Sequence, residues 1–70
     1  MTFAEYLQAV AKYHNEQRPH VRIGQAYYNC LPTSFIIEHI GSVAGADIDP
    51  FHDDSKLPDF LAYVEVNWPT

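Results

Sequence analysis

The stretch that decides the fold is DPFHDDSKLPDFLAYVEVNW, which spans residues 49–68. Its first half concentrates acids around a proline. Asp49-Pro50 has the order of a helix start, because an N-cap acid accepts backbone N–H bonds and proline suits the first helical position. Asp53 and Asp54 predict the end of this turn, since short acids compete with the helical backbone for hydrogen bonds. We therefore expect a capped turn that leads into a terminal helix.

The second half of the stretch carries the pattern of that terminal helix. Pro58 suits the first helical turn, and Asp59 complements the positive end of the helix dipole. Because proline cannot continue a helix, Pro69 marks its expected end. The apolar residues recur at helical steps of four, three and four. They are Leu57, Leu61, Val64 and Trp68, with Phe60 beside them.

The acids of this stretch also admit a metal-binding interpretation. Asp49, His52, Asp53 and Asp54 are hard or borderline metal ligands. A calcium loop, however, needs ligands at alternating positions, then a glycine and a distant glutamate. Here Phe51 stands at a ligand position and no glycine follows. We expect these acids to cap helices and turns and to bind no metal, and we keep the metal site as an alternative.

Composition places the chain among small acidic domains. Its 70 residues predict one domain, 1–70. The net charge of −5, with four basic residues, disfavours binding to nucleic-acid phosphate and is compatible with a basic partner. A single cysteine cannot form an internal disulfide, so we expect a reducing, cytoplasmic location. No run has the length of a membrane span and no signal-peptide pattern is present, so no membrane partner is expected.

Two helices are expected near the N-terminus. Thr2 and Glu5 match a capping box, which predicts a first helix from Phe3 to about Asn15. The apolar spacing of residues 23–31 predicts a second helix. Gly24 near its start suggests either a first-turn position or the close approach of another backbone.

A third helix is expected around the apolar run of residues 35–37, although this run also has strand character. Residues 32–34 precede it as a cap, and Gly41 follows as its expected end. Together, these helices predict an all-α fold, a small single domain of three to four short helices. Its predicted core is Phe3, Leu7, Val10, Tyr27, Leu31, Ile36, Ile40, Phe51, Leu61, Val64 and Trp68.

Polar residues cluster at the start of the second helix. Arg18, His20 and Arg22 together could bind a phosphate or carboxylate ligand. We expect instead that they pair with acids of the closing stretch, which is the commoner use of such groups. Gln25 and Asn29 lie four residues apart on one helix face and are expected to cap a neighbouring loop.

Two motifs of the chain resemble a family pattern. They are R-x-G-Q-A-Y-x-N-x-L from Arg22 to Leu31 and D-P-F-x-D-D-x-x-L-P-x-F-L from Asp49 to Leu61. This order resembles small uncharacterised proteins of phages, prophages and bacteria, over roughly residues 3–68. The resemblance implies no biochemical activity and, by analogy only, a role in host takeover or defence evasion. The polar residues expected to build the pattern are Arg22, Gln25, Asn29, Asp49, Asp53 and Asp54.

The expected function is therefore binding to another protein. The sequence contains no phosphate-binding loop, dinucleotide fingerprint or zinc spacing, so we expect neither an enzyme nor a cofactor. We predict an accessory module that modulates or inhibits a host protein, with tyrosines as contacts because tyrosine is favoured at interfaces. These contacts are Tyr6, Tyr13, Tyr28 and Tyr63.

Three alternatives stay open at this point. The first is an acidic mimic of nucleic acid that blocks a DNA-binding protein, which requires acids at phosphate-like spacing over one surface. The second is the metal-binding domain described above. The third is a homodimer that buries apolar area left over in so small a domain.

Overall fold

Four α-helices follow one another along the chain. The computed structural model describes residues 1–69 and places α1 at Phe3–Gln17, α2 at Ile23–Asn29, α3 at Thr33–Val43 and α4 at Leu57–Val66. A single 3-10 turn, Asp54–Lys56, leads directly into α4. These 69 residues contain no strand, which confirms the predicted all-α fold. Within the same range, no helix combines the length and the apolar character that crossing a membrane requires.

The first helix begins at the predicted capping box. The Glu5 backbone N–H donates to Thr2 Oγ1 at 3.1 Å, and the Thr2 N–H donates to Glu5 Oε1 at 2.7 Å. Both bonds satisfy donors that a helix start leaves unpaired. The helix ends two residues later than expected, at Gln17, because Arg18 precedes Pro19 and adopts the extended conformation that this position favours.

The end of α3 differs from the prediction. Gly41 does not end the helix, which continues to Val43. A glycine inside a helix lowers stability without stopping the helix, and nothing else interrupts it at this position. The chain leaves the helical path at the C-cap Ala44, which is extended with a ψ of 120°, and Gly45 follows with a φ of +73°. These two residues form a type II turn, closed by the Ala46 N–H donating to the Val43 carbonyl oxygen at 3.0 Å, and this turn favours glycine at the position that Gly45 occupies.

No helix begins at Asp49-Pro50, so the expected helix start was wrong, whereas the predicted capped turn is present and is closed by the Asp53 N–H donating to the Pro50 carbonyl oxygen at 3.3 Å. Residues 44–53 form turns, and Asp49 uses its carboxylate to fold this loop upon itself. The start predicted near Pro58 is confirmed, since Pro58 occupies the first turn of α4. Helix α4 ends at Val66, before Pro69, so Trp68 lies outside the helix that it was predicted to join.

The core lies where the four helices meet. Val10, Leu31 and Val64 are buried as predicted. Ile36 is 37 % exposed, because α3 turns the preceding ring, Phe35, inward instead. Most of the other residues predicted in the core are partly buried against it, and Phe51 lies outside this cluster. The buried set is Tyr6, Val10, Ala26, Leu31, Phe35, Val43, Phe60 and Val64.

Trp68 joins the end of the chain to its beginning. Its ring centroid lies 5.4 Å from Phe3, 5.1 Å from Tyr6 and 6.4 Å from Phe35. Its indole Nε1–H donates to the Met1 carbonyl oxygen at 3.1 Å. Because these partners lie in or beside α1 and α3, one side chain connects the C-terminal segment to two helices.

Candidate functional site

The first turn of α2 receives its cap from a distant loop. The backbone N–H of Gly24 donates to Asp54 Oδ1 at 3.0 Å, across thirty residues of sequence. The Arg22 N–H donates to Gln25 Oε1 at 3.0 Å. Helix starts need acceptors for their free N–H groups and favour negative charge, and Asp54 supplies both. The loop before α4 is thereby fixed against α2.

Arg22 reinforces this connection. Its guanidinium Nη2 donates to the Phe51 carbonyl oxygen, and its Nε lies 3.6 Å from Asp54 Oδ1. This pair confirms for Arg22 the predicted pairing with acids of the closing stretch. Both side chains remain 40–46 % exposed, so their charge attraction is a small part of stability. The contact matters more because it orients the backbone at Phe51.

Gly24 allows the loop to approach α2 closely. A Cβ atom at this position would collide with the Pro50 carbonyl oxygen and would lie 2.5 Å from Asp54 Oδ1. The suggestion of a close backbone approach is therefore confirmed. Only the absence of a side chain permits the Asp54 cap and the buried position of Pro50 at the same time.

Two further acids of the loop, Asp49 and Asp53, also bind backbone groups. Asp49 Oδ2 accepts from the Gly45 N–H at 2.7 Å, and its Oδ1 accepts from the Phe51 N–H at 2.9 Å. Asp53 Oδ1 accepts from the Ser55 N–H at 2.9 Å and from its hydroxyl at 2.6 Å. Within residues 1–69, no group of three or more His, Cys, Asp or Glu side chains is arranged to hold a metal ion.

Acid is expected to weaken the fold partly through Asp53. The Ser55 hydroxyl and N–H lower the pKa of Asp53 below its ordinary value of 3.8. A carboxyl with a lower pKa in the folded chain stabilises it above the unfolded value, and this stability is lost as the pH falls through the folded value. The melting temperature should therefore fall between about pH 5 and about pH 2, and less steeply in Asp53→Asn. Equal slopes in both proteins would contradict this assignment.

The loop of residues 44–53 and helix α2 form the walls of an open pocket. It is lined by Tyr28, Asp49, Phe51 and His52 and has a volume of about 220 Å³. The rings of Tyr28 and Phe51 meet at 72°, with centroids 5.4 Å apart, and His52 stacks edge-on against Phe51 at 4.8 Å. The pKa of Tyr28 is raised. Partial burial is the larger cause, and the negative charge of Asp49 is the second. The pocket thus combines aromatic walls with a carboxylate.

Tyr6 is not a surface contact, contrary to the sequence prediction. It is fully buried, because α1 turns this position toward the other helices and Trp68 covers it. Its hydroxyl donates to the Tyr27 carbonyl oxygen at 2.5 Å, which satisfies the only polar atom of the side chain. Burial raises the pKa of this hydroxyl, which keeps it a neutral donor. Tyr6 is a core residue.

The other three tyrosines that were predicted as contacts have separate surroundings. Tyr28 lines the pocket, whereas the Tyr13 hydroxyl accepts from Asn29 Nδ2 at 3.4 Å. The Tyr63 hydroxyl lies 3.4 Å from His39 Nδ1, between α3 and α4. The amides Gln25 and Asn29 therefore bond to the start of α2 and to a tyrosine of α1, and not to a neighbouring loop as expected.

Sequence reasoning missed the role of Phe51 and His52. The sequence places Phe51 in the core, but it is only partly buried and lies at the pocket with His52. The available signal was the position of Phe51 between acids. Acids that bind the backbone of a loop keep that loop at the surface, and its aromatic rings stay there with it.

The two sequence motifs, residues 22–31 and residues 49–61, meet in this structure. Arg22 and Gly24 come from the first motif, and they contact Phe51 and Asp54 of the second. The pattern thus describes one packed unit, and the resemblance itself stays a prediction. No protein-family model matches the chain, and neither a curated protein nor a solved structure matches it.

Proposed function

We propose that this chain is a small acidic protein-binding module that acts by occupying the surface of a partner. The observation that carries the proposal is the open pocket, where Tyr28 and Phe51 are held half-buried beside Asp49. Aromatic side chains in preformed pockets are frequent energetic centres of protein interfaces. The net charge of −5 favours a partner with a basic surface and speeds the encounter with it.

The pocket is well suited to binding because it is formed before a partner arrives. Hydrogen bonds from the chain itself fix the loop at Asp49, Asp53 and Asp54. Side chains that are already ordered lose little conformational entropy when they are covered. A short loop of this kind therefore offers a rigid contact surface despite its lack of regular structure.

The biological setting is part of the proposal. The resemblance to phage and bacterial proteins supports a cytoplasmic module that modulates or inhibits a host protein. Its partner is then a bacterial protein with a basic patch, and the complex forms without any change to the chemistry of either chain. The nucleic-acid mimic is less well supported, because Glu5, Asp49, Asp53 and Asp54 are grouped at a helix start and in one loop, where they bind local backbone groups, and a mimic needs acids at phosphate-like spacing over one surface.

A capture experiment tests this proposal. Tagged wild type should retain one protein from a bacterial lysate at a stoichiometric level, and the double variant Tyr28→Ala, Phe51→Ala should lose it. The matched control removes two exposed apolar side chains elsewhere, Ile37→Ser with Val66→Ser, which are 78 % and 84 % exposed. This control should retain the partner. Circular dichroism establishes that all three proteins are folded.

Three outcomes would contradict the pocket as the binding surface. The first is the absence of any stoichiometric partner. The second is retention by the double pocket variant with loss in the control. The third is a complex that dissociates almost completely between about 0.05 and about 0.5 M salt, since surface charge alone would then hold it, as expected for a nucleic-acid mimic.

A further inference from the structure

We propose that the pocket beside α2 binds the guanidinium group of an arginine on the partner protein. This inference rests on the proposed function and names the group that the pocket selects. The residues that carry it are Tyr28, Asp49 and Phe51, all held in place by contacts within the chain.

The Asp49 carboxylate is a prepared acceptor. Each of its oxygens already accepts one backbone N–H, from Gly45 at 2.7 Å and from Phe51 at 2.9 Å. A carboxylate has about four acceptor sites, so one remains on each oxygen. The two backbone bonds also fix the plane of the group. Arginine presents two parallel N–H donors with the matching spacing, and a carboxylate with two free sites and a fixed plane suits that geometry.

The aromatic walls favour the same group. Tyr28 and Phe51 meet at 72° and form a corner, so a flat cation can stack on one ring and contact the edge of the other. Ring faces attract cations, and guanidinium is planar and weakly hydrated, so it leaves water more easily than an ammonium group. The same walls and Asp49 disfavour an anion, since a carboxylate repels negative charge.

The dimensions of the pocket indicate a side chain. Its volume of about 220 Å³ is smaller than the roughly 300–1,000 Å³ of sites that enclose whole small molecules. Exposed acids, Asp47 and Asp53, lie in the same loop and add to the negative potential around it. A single cationic side chain projecting from a protein surface therefore fits both the size and the charge.

The test is a titration of the ¹⁵N-labelled full chain with N-acetyl-arginine amide, followed by amide chemical shifts. We expect saturable shifts at Tyr28, Gly45, Asp49, Phe51 and His52. N-acetyl-citrulline amide has nearly the same shape without the charge, and it should leave these amides unmoved. The corresponding lysine derivative should bind several-fold more weakly, because it lacks the planar pair of donors.

Variants separate ring chemistry from folding. Phe51→Leu keeps apolar bulk and removes the ring, and it should weaken arginine binding by about three- to fivefold. Tyr28→Phe keeps the ring and should bind nearly as the wild type does. Tyr63→Leu, which changes a ring outside the pocket, is the matched control and should not alter binding.

The inference is overturned if the arginine derivative moves none of these amides, or if citrulline or lysine derivatives move them equally. Unchanged binding in Phe51→Leu would also overturn it. Capture of a stoichiometric partner that depends on the pocket, together with failed arginine binding, would leave the protein-binding function standing and remove only the arginine assignment. Arginine binding without any captured partner would leave the guanidinium site standing and remove the protein-binding function.

Discussion

Replacing Gly24 with alanine is expected to lower the free energy of unfolding by about 3 kcal/mol. The added Cβ would collide with the Pro50 carbonyl oxygen and would lie 2.5 Å from Asp54 Oδ1. Backbone atoms cannot move aside as a flexible side chain can, so the loop must leave α2. The substitution then also breaks the Gly24–Asp54 hydrogen bond, which caps the helix. Urea unfolding followed by circular dichroism measures the loss.

Gly41 provides a matched control for that substitution. It lies inside α3, and beyond the adjacent residues and backbone of its own helix a Cβ there would meet no atom within 4 Å. Gly41→Ala should therefore stabilise the protein by about 0.5–1 kcal/mol, because alanine loses less backbone entropy on folding. If both substitutions changed stability by the same amount, the close approach at Gly24 would not be the reason for its glycine.

Removing the ring of Phe35 should cost about 3–5 kcal/mol. The side chain is fully buried, and its ring lies 4.8 Å from His39, 6.3 Å from Tyr63 and 6.4 Å from Trp68. Its loss would leave a cavity where α3, α4 and the C-terminal segment meet. A 70-residue domain is stable by only about 4–10 kcal/mol, so Phe35→Ala should unfold much of the protein at 37 °C.

Ile37 is the control for this prediction, because it lies two residues away on the same helix. It is 78 % exposed, so Ile37→Ala should change stability by less than about 0.5 kcal/mol. Thermal unfolding of both variants gives the comparison. Equal effects would mean that α3 is rotated relative to the orientation described above, with Phe35 no longer facing the core.

The local signals in the sequence predicted the helices well. The capping box at Thr2 and Glu5 and the proline at position 58 act through neighbouring residues, so their effects can be read without a structure. The all-α fold follows from such signals. The end of α3 was harder, because Gly41 and Gly45 look alike in sequence and only the chain path shows which one takes a positive φ.

The candidate site could be predicted only in part. The pairing of Arg22 with the closing acids was foreseen, but the cap that Asp54 provides for α2 spans thirty residues, and no periodic pattern records such a contact. Tyr6 was predicted as a partner contact because tyrosine is favoured at interfaces, and that preference does not say which face of α1 is buried. Phe51 was assigned to the core because its apolar character says nothing about the loop that holds it outward.

Stability and partner binding both require that the loop of residues 44–53 stays against α2. The pocket exists because Asp54, Arg22 and Asp49 hold the loop against α2. A substitution that releases this loop should therefore remove partner binding even when the pocket residues are unchanged. This gives Asp53 and Asp54 an architectural role and the rings a contact role, while Asp49 both folds the loop and lines the pocket.

The most direct test of that division is the melting temperature of wild type and Asp54→Ala, each with a chelator and with excess Ca²⁺, Mn²⁺ or Zn²⁺. Loss of the α2 cap should destabilise Asp54→Ala by about 1–2 kcal/mol. In a domain of this size that lowers the melting temperature by about 4–8 °C for each kcal/mol. We predict this decrease in every condition and no effect of the ions on the wild type. A wild-type melting temperature that rises with one ion, and fails to rise in Asp54→Ala, would show that the carboxylates form an ion site and would contradict the account.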